Sequence, residues 1–305
     1  MRHIFYIDEL AKLNTKKDSS LHWALTLQRA REDVWLLFEK DLEVNTKKNT
    51  ALECYQFSGD IRDDFYIYEF KLKESQLVNI EGSCFYYRLD PPVNSDYLRS
   101  SWLVEFLSKK ANLTVINNPL SVIKLNEKIL AFEEKNSLES LITSSYERAF
   151  RFSQSLGVEE IIIKPLNSYS GLGVEKISLS EFKATQSRFE SGEKFIVQAF
   201  DETVYNGEIR SVFWKARELG SMIKYPRKGS FLSNIAQGAS FEKIELTENL
   251  KTQCIDICKE LLKEGVDLVA FDILGDNISE VNITCPGLLV ELSHACGENI
   301  SAKLF

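Results

Sequence analysis

Short apolar blocks alternate with longer amphipathic ones from the first residues of this chain, the pattern of an α/β protein. His3 to Asp8 reads as a strand, and Lys12 to Lys17 as a polar loop. Asp18-Ser19-Ser20 supplies capping residues for a helix carrying Leu21, Ala24, Leu25 and Leu27. Val34 to Phe38 is a second strand, and the alternating stretches Leu52 to Phe57 and Phe65 to Leu72 form a hairpin pair. Phe85-Tyr86-Tyr87 is a strand that the prolines of Arg88-Leu89-Asp90-Pro91-Pro92 must stop. A helix over Tyr97 to Lys109 and a strand at Leu113 to Ile116 complete a first lobe, residues 1–119.

A second lobe, residues 120–200, holds helices around Leu125 to Phe132 and over Tyr146 to Leu156. Its strands fall at Glu160 to Lys164, Gly173 to Ile177 and Phe195 to Gln198. The third lobe, residues 201–305, has strands at Glu208 to Lys215 and Leu219 to Tyr225, a polar loop from Arg227 to Gly238, and an amphipathic helix from Thr247 to Glu264. Apolar residues then run up to Asp272, Gly275-Asp276-Asn277 forms a turn, and Ile278, Val281 and Ile283 mark a last strand. Side chains alternate across a strand, so Glu280 and Asn282 share a face, and a hairpin brings Asp272 beside them. Two carboxylates and an amide oxygen suit magnesium held together with phosphates; the same residues also fit a half-exposed strand.

Composition narrows the classes. With 305 residues, 44% hydrophobic and 27% charged, the chain is large enough for two or three lobes of a soluble globular protein. A net charge of -8 gives no footprint for nucleic acid. No apolar run approaches the roughly 20 residues that span a bilayer, and the first residues lack a signal-peptide core. The six cysteines show no zinc spacing, and Cys254 and Cys258 share an apolar helix face. The expected setting is reducing and cytoplasmic.

Several basic residues sit where anions could bind. Lys164 ends the run Ile161-Ile162-Ile163 and fits either a phosphate ligand or a snorkelling edge lysine. Lys128 alone is an ordinary helix lysine, and the loop Asn167 to Gly173 fits either a phosphate-binding backbone or a plain turn. Arg88 can face a carboxylate ligand or pair with Asp90. Arg210 interrupts an apolar strand, so it needs a structural acid or a bound anion. Lys16-Lys17 precedes a helix N-terminus, a favourable place for anions but also an ordinary solvated pair.

Read in order, these segments resemble the bacterial glutathione synthetase family of the ATP-grasp superfamily. The resemblance rests on Asn14-Thr15-Lys16-Lys17-Asp18-Ser19-Ser20, Arg88-Leu89-Asp90-Pro91-Pro92, Asn117-Asn118-Pro119 and Asn126-Glu127-Lys128. It continues through Ile163-Lys164-Pro165-Leu166, Gly207-Glu208-Ile209-Arg210, Ser233-Asn234-Ile235-Ala236, Phe271 to Asp276 and Glu280 to Thr284. The resemblance implies an ATP-grasp fold preceded by an N-terminal α/β domain, and ligation of γ-glutamylcysteine to glycine through an acyl phosphate. It implies ATP and two magnesium ions, with manganese as a possible substitute, small-molecule partners and a homo-oligomer. Lys128 and Lys164 would contact ATP phosphates, Gln198, Ala199 and Phe200 would line the adenine pocket, and Glu208 would lie near the nucleotide. Asp272, Glu280 and Asn282 would hold the metal. Arg210, and Lys224 where the family usually has arginine, would stabilise the transferred phosphoryl group and the oxyanion. Arg88, Ser19, Ser20 and Asn234 would position the peptide substrate.

The chain departs from the family pattern in three places. Asn167-Ser168-Tyr169-Ser170-Gly171 replaces a glycine-rich loop, Leu232 stands where an arginine is usual, and Val290 stands near a usual basic position. The loops Asn167 to Gly173 and Arg227 to Gly238 are the expected lids over a water-sensitive acyl phosphate.

Overall fold

The Ile4 to Ile7 run lies between two parallel neighbours in the middle of a mixed sheet, covered on both faces, which is why it carries no charged residue. The computed structural model describes residues 1–47, 50–133, 137–167 and 171–305. The first sheet is built from β1 (Arg2–Ile7), β2 (Asp33–Phe38), β3 (Ala51–Ile61), β4 (Ile67–Asn79), β5 (Cys84–Arg88) and β6 (Thr114–Ile116), in the order β4-β3-β2-β1-β5-β6. The pairs β1–β2, β1–β5 and β5–β6 are parallel, and β3 and β4 add an antiparallel ribbon at one edge. Ile4 and Tyr6 enter one core while Phe5 and Ile7 enter the other, as strand alternation requires.

Helix α1 (Ser19–Arg29) starts where Asp18 accepts from the Leu21 N–H at 2.8 Å. Helix α2 (Ser95–Ala111) starts at Asn94, whose side chain accepts from Asp96 and Tyr97, and ends at Asn112 in the left-handed region. The helix expected around Leu125 to Phe132 forms as α4 (Glu127–Phe132), and a further short helix, α3 (Pro119–Lys124), precedes it. Asn118 caps the first and Asn126 the second, and a new cap at Asn126 forces the break at Leu125.

The second sheet is antiparallel, with β7 (Ser140–Thr143), β8 (Glu160–Pro165), β9 (Glu175–Ser178) and β10 (Phe195–Ala199) in the order β7-β10-β8-β9. With α5 (Tyr146–Ser155) and the turn α6 (Gln186–Phe189) it encloses a core of its own, around Ile161, Ile163, Phe182, Phe195 and Val197. The third sheet is also antiparallel, with β11 (Glu208–Trp214), β12 (Arg217–Tyr225), β13 (Ser240–Ile244), β14 (Leu268–Leu274) and β15 (Asn277–Asn282) in the order β13-β12-β11-β14-β15. Helices α7 (Glu248–Lys263) and α8 (Leu289–Cys296) complete it. Cys254 and Cys258 lie in the core beneath α7, as their helical spacing predicts.

The first and third sheets share their cores. Tyr87 and Tyr97 belong to one cluster with Phe213, Phe271 and Ile283, and Trp23 meets Trp214 edge-on at 5.5 Å. Asn117, buried at the end of β6, ties the two sheets together. Its Nδ2 donates to the Leu268 and Ile283 carbonyls, each at 2.8 Å, and its Oδ1 accepts from the Asp267 and Leu268 N–H groups at 3.0 and 2.9 Å. Asn117 is thus the peg on which the β14–β15 hairpin hangs. No helix among the described residues is long and apolar enough to cross a membrane.

His22 on α1 is fully buried, with Nδ1 2.7 Å from Ser301 Oγ. Burial first, then the charge of Arg29, pushes its pKa from 6.5 down to about 4. Between those values the unfolded chain binds the extra proton, so this residue's contribution to stability rises with pH. Between pH 7 and pH 5 it should cost about 2 kcal/mol. The capping Asp18, pushed up to about 6 chiefly by burial, trends the other way. The readout is therefore a difference. Denaturant unfolding at the two pH values should show wild type losing about 2 kcal/mol more than His22→Gln on acidification, and equal losses would rule this assignment out.

Candidate functional site

Four adjacent strands of the third sheet present their polar side chains on one face. Asp272 on β14 stands opposite Glu280 on β15 and opposite Arg210 on β11, and Glu208 on β11 stands opposite Lys224 on β12. Asn282 lies two residues beyond Glu280 and so shares its face. The β14–β15 register slips between Asp272 and Ile273, and Ser279 at that irregularity donates from Oγ to the Asp272 carbonyl at 3.0 Å. Asp272 therefore accepts from three directions: Arg210 Nη2 at 2.9 Å, Lys224 Nζ at 2.8 Å and Asn282 Nδ2 at 3.0 Å. Lys224 also reaches Glu208 at 2.6 Å.

The motif Asn126-Glu127-Lys128 divides into three tasks. Asn126 caps α4. Glu127 Oε1 accepts from the Ile283 and Thr284 N–H groups at 2.8 and 2.7 Å, pinning α4 to the end of β15. Lys128 is thereby held 3.4 Å from Glu280. From the second sheet, Lys164 on β8 points its charge at the same face, where it senses Glu280, Lys128, Glu208 and Asp272.

Burial and pairing set the ionisation of this face. Burial lowers Lys164 below the ordinary lysine value, and Glu280 only partly opposes it. Lys224 is just as buried, but Asp272 and Glu208 outweigh that effect and raise its pKa. Burial likewise pushes Asp272 upward, yet Arg210 and Lys224 prevail and hold it below the usual carboxylate range. Glu208 and Glu280 are raised, because burial exceeds the pull of Lys224 and Lys128 respectively.

A cavity of about 430 Å3 opens between this face, the second sheet and the Arg227 to Gly238 loop. Lys128, Lys164, Gln198, Phe200, Glu208, Arg210, Lys224, Asn234, Asp272, Glu280 and Asn282 all line it. Ala199, at the end of β10, is not in its wall. Phe231 from the large loop meets Phe200 nearly perpendicular at 6.0 Å. The two expected lids touch: a Cβ on Gly171 (φ +73°) would lie 2.5 Å from Asn234 Nδ2, so only glycine allows this approach. Ser168, Tyr169 and Ser170, in the middle of the expected loop Asn167 to Gly173, lie outside the described residues.

Arg88, Ser19 and Ser20 stand behind the cavity wall. Arg88 donates from Nε to Ser20 Oγ at 3.0 Å and from Nη2 to the Pro286 carbonyl at 2.8 Å. Ser19 Oγ accepts from the Leu289 N–H at 3.0 Å. Together they hold the Cys285 to Leu288 turn, which does line the cavity. Lys17 pairs with the buried Glu291 at 3.2 Å, and Lys16 lies over the rings of Tyr66 and Tyr68. Leu232 faces the cavity, whereas Val290 is fully buried and does not line it.

The donor set fits magnesium. Asp272, Glu280 and Asn282 offer hard oxygens on one face, but among the described residues no group of three or more His, Cys, Asp or Glu is placed to hold a metal by itself, so phosphates and water would have to supply the rest of the shell. A partial protein shell is what magnesium uses when phosphates and water complete its octahedron.

Comparison with known proteins gives the family. Residues 1–122 match the N-terminal domain of prokaryotic glutathione synthetase, and residues 127–297 match its ATP-grasp domain. The chain belongs to the prokaryotic glutathione synthetase family. A glutathione synthetase from Prochlorococcus marinus subsp. pastoris is 27% identical, over 100% of this chain and 97% of that one. One from Coxiella burnetii is 26% identical, over 94% and 89%. Among solved structures, the macrocyclase MdnC bound with its precursor peptide aligns with a TM-score of 0.66 at 12% identity, covering 100% of this chain and 99% of that one. The D-cycloserine synthetase DcsG aligns at 0.65 and 12%, covering 99% and 98%. These likenesses show the fold. The expected α/β architecture, an ATP-grasp fold behind an N-terminal α/β domain, is the one observed, and the chain is an ATP-dependent ligase of glutathione synthetase type.

Proposed function

We propose that this ligase joins γ-glutamylcysteine to glycine, forming glutathione, ADP and phosphate. The observation that carries the reading is the single face bearing Arg210, Lys224, Asp272, Glu280 and Asn282, with Lys164 directed at it from the second sheet. In this reading the glycyl-accepting carboxylate of γ-glutamylcysteine attacks the terminal phosphorus of ATP, and ADP leaves. Glycine's amine, once its ammonium has lost a proton, attacks the acyl carbon; the C–N bond forms, phosphate departs with the electron pair of the C–O bond, and the nitrogen's second proton leaves with phosphate or to water.

Lys128 and Lys164 hold phosphate oxygens, and Gln198 and Phe200 seat the adenine. Arg210 and Lys224 face the oxygens on which negative charge grows, where fixed cations in a dry cavity act most strongly. Asp272, Glu280 and Asn282 would hold magnesium, which supplies neutralisation of phosphate charge. The Cys285 to Leu288 turn, braced by Arg88, Ser19 and Ser20, and Asn234 on the large loop form the substrate end. A cytoplasmic setting and a homo-oligomer belong to the same reading.

Leu232 favours a second reading, a ligase of the same chemistry with another acid and amine, because an apolar side chain lines the cavity at this position. Mass spectrometry of a reaction with γ-glutamylcysteine, glycine, ATP and magnesium separates the two. The expected result is glutathione and ADP in equal amounts. ADP release stimulated only by a different acid and amine supports the second reading, and no stimulation by any pair removes both.

A further inference from the structure

Six carboxylates line the cavity, those of Asp90, Glu127, Asp201, Glu208, Asp272 and Glu280. Five are committed within the protein. Glu127 accepts two backbone N–H groups, and Asp201 accepts from the Thr203 N–H and Oγ1 at 2.9 and 2.6 Å. Glu208, Asp272 and Glu280 are paired with Lys224, Arg210 and Lys128.

Asp90 differs from all of these. It is exposed to the cavity at the end of β5, and among the described residues its carboxylate forms no ion pair and accepts no backbone N–H. Its own N–H is spent on Asp8 Oδ2 at 2.8 Å. The prolines at 91 and 92 remove the next two N–H donors from the neighbourhood. Arg88, two residues earlier, turns its guanidinium to Ser20 and the Pro286 carbonyl, behind the wall. The Cys285 thiol hydrogen-bonds the Asp90 carboxylate, and the charges of Arg88 and Asp8 act on it from farther off. A carboxylate on the cavity wall that a neutral thiol holds, but that no cation pairs with among the described residues, repels phosphate and attracts a cation carrying N–H donors.

We propose that Asp90 anchors a primary ammonium group of a substrate of this ligase. The assignment rests on the proposed ligation, in which both partners carry such a group. The donor has an α-ammonium that stays charged throughout, and the acceptor has the amine that attacks. Either would meet Asp90 on the N-terminal wall of the cavity, away from the cations that face the phosphates. A charge-assisted hydrogen bond of this kind is worth enough to change affinity by about 10- to 100-fold.

The test uses Asp90→Asn in the full chain, which keeps the shape and the backbone bond to Asp8 while removing the charge. ADP release gives KM for ATP, γ-glutamylcysteine and glycine. Calorimetry with γ-glutamylcysteine, magnesium and a non-hydrolysable ATP analogue gives binding without chemistry. The expected result is a rise of about tenfold or more in KM for one amine-bearing substrate, with KM for ATP nearly unchanged. If the donor is the one bound, γ-glutamylcysteine without its α-amino group should be insensitive to the variant; if the acceptor is, the glycine KM alone moves. Weaker calorimetric binding by the variant supports the anchor even where wild type fails to turn over, in which case only the ligation reading falls. Turnover with all three KM values unchanged overturns the anchor and leaves the ligation reading standing. A wild type that binds no amine-bearing substrate overturns the anchor as well.

Discussion

Asp272→Asn is expected to lower kcat/KM for ligation by roughly three orders of magnitude. Asp272 is the residue on which the whole polar face converges. Arg210, Lys224 and Asn282 all donate to it, and Glu280 stands directly across the hairpin. An amide in its place can accept but carries no charge, so two buried cations lose their shared counter-charge. Breaking a buried pair by removing one partner typically costs about 3–5 kcal/mol, so the variant should also be less stable by about that amount. Steady-state ADP release and denaturant unfolding measure the two effects separately. Activity within tenfold of wild type would remove Asp272 from the metal set, and unchanged stability would mean that Arg210 and Lys224 find other partners.

Asn117→Ala should be the most damaging substitution outside the cavity. Four backbone groups of the third sheet and its hairpin lose their partners at once. Each buried group left unpaired costs about 1–3 kcal/mol, and water entering the vacated space recovers part of that, so a loss of about 3–5 kcal/mol is expected. Activity should fall as well, since the same bonds set where β14 and β15 begin and end. Asn117→Asp makes the cause visible. It keeps the acceptor side but cannot donate to the Leu268 and Ile283 carbonyls, and should recover little. Denaturant midpoints for both variants decide the matter; an alanine variant as stable as wild type would refute the role.

The parts of this protein that could be read from the chain are those that depend on near neighbours. The hairpin from Phe271 to Thr284 follows from period-two alternation around a Gly-Asp-Asn turn, and the observed register places Asp272 across from Glu280. The slip at Ser279 has no such signal. Strand β13 is half exposed at a sheet edge and shows no alternation to betray it. Helix α8 begins after Leu288 in the left-handed region, without a capping side chain, so nothing in the sequence announces its start. Glu127 looks like an ordinary first-turn helix acid, yet its partners lie 156 and 157 residues away. Arg88 could have paired with Asp90 or faced a ligand; it instead bonds Ser20 and the Pro286 carbonyl, a partner 198 residues distant that no local pattern reveals.

The pin made by Glu127 has a mechanical consequence. Lys128 precedes the second sheet in the chain, yet it is fastened to β15 and therefore moves with the third sheet. Lys164 belongs to the second sheet, which packs around a core of its own. Were that sheet to move as a body, it would carry Lys164 away and leave Lys128 in place. If both lysines hold phosphate as proposed, a bound phosphate chain would then be released in stages, first from the moving lysine and only then from the stationary one.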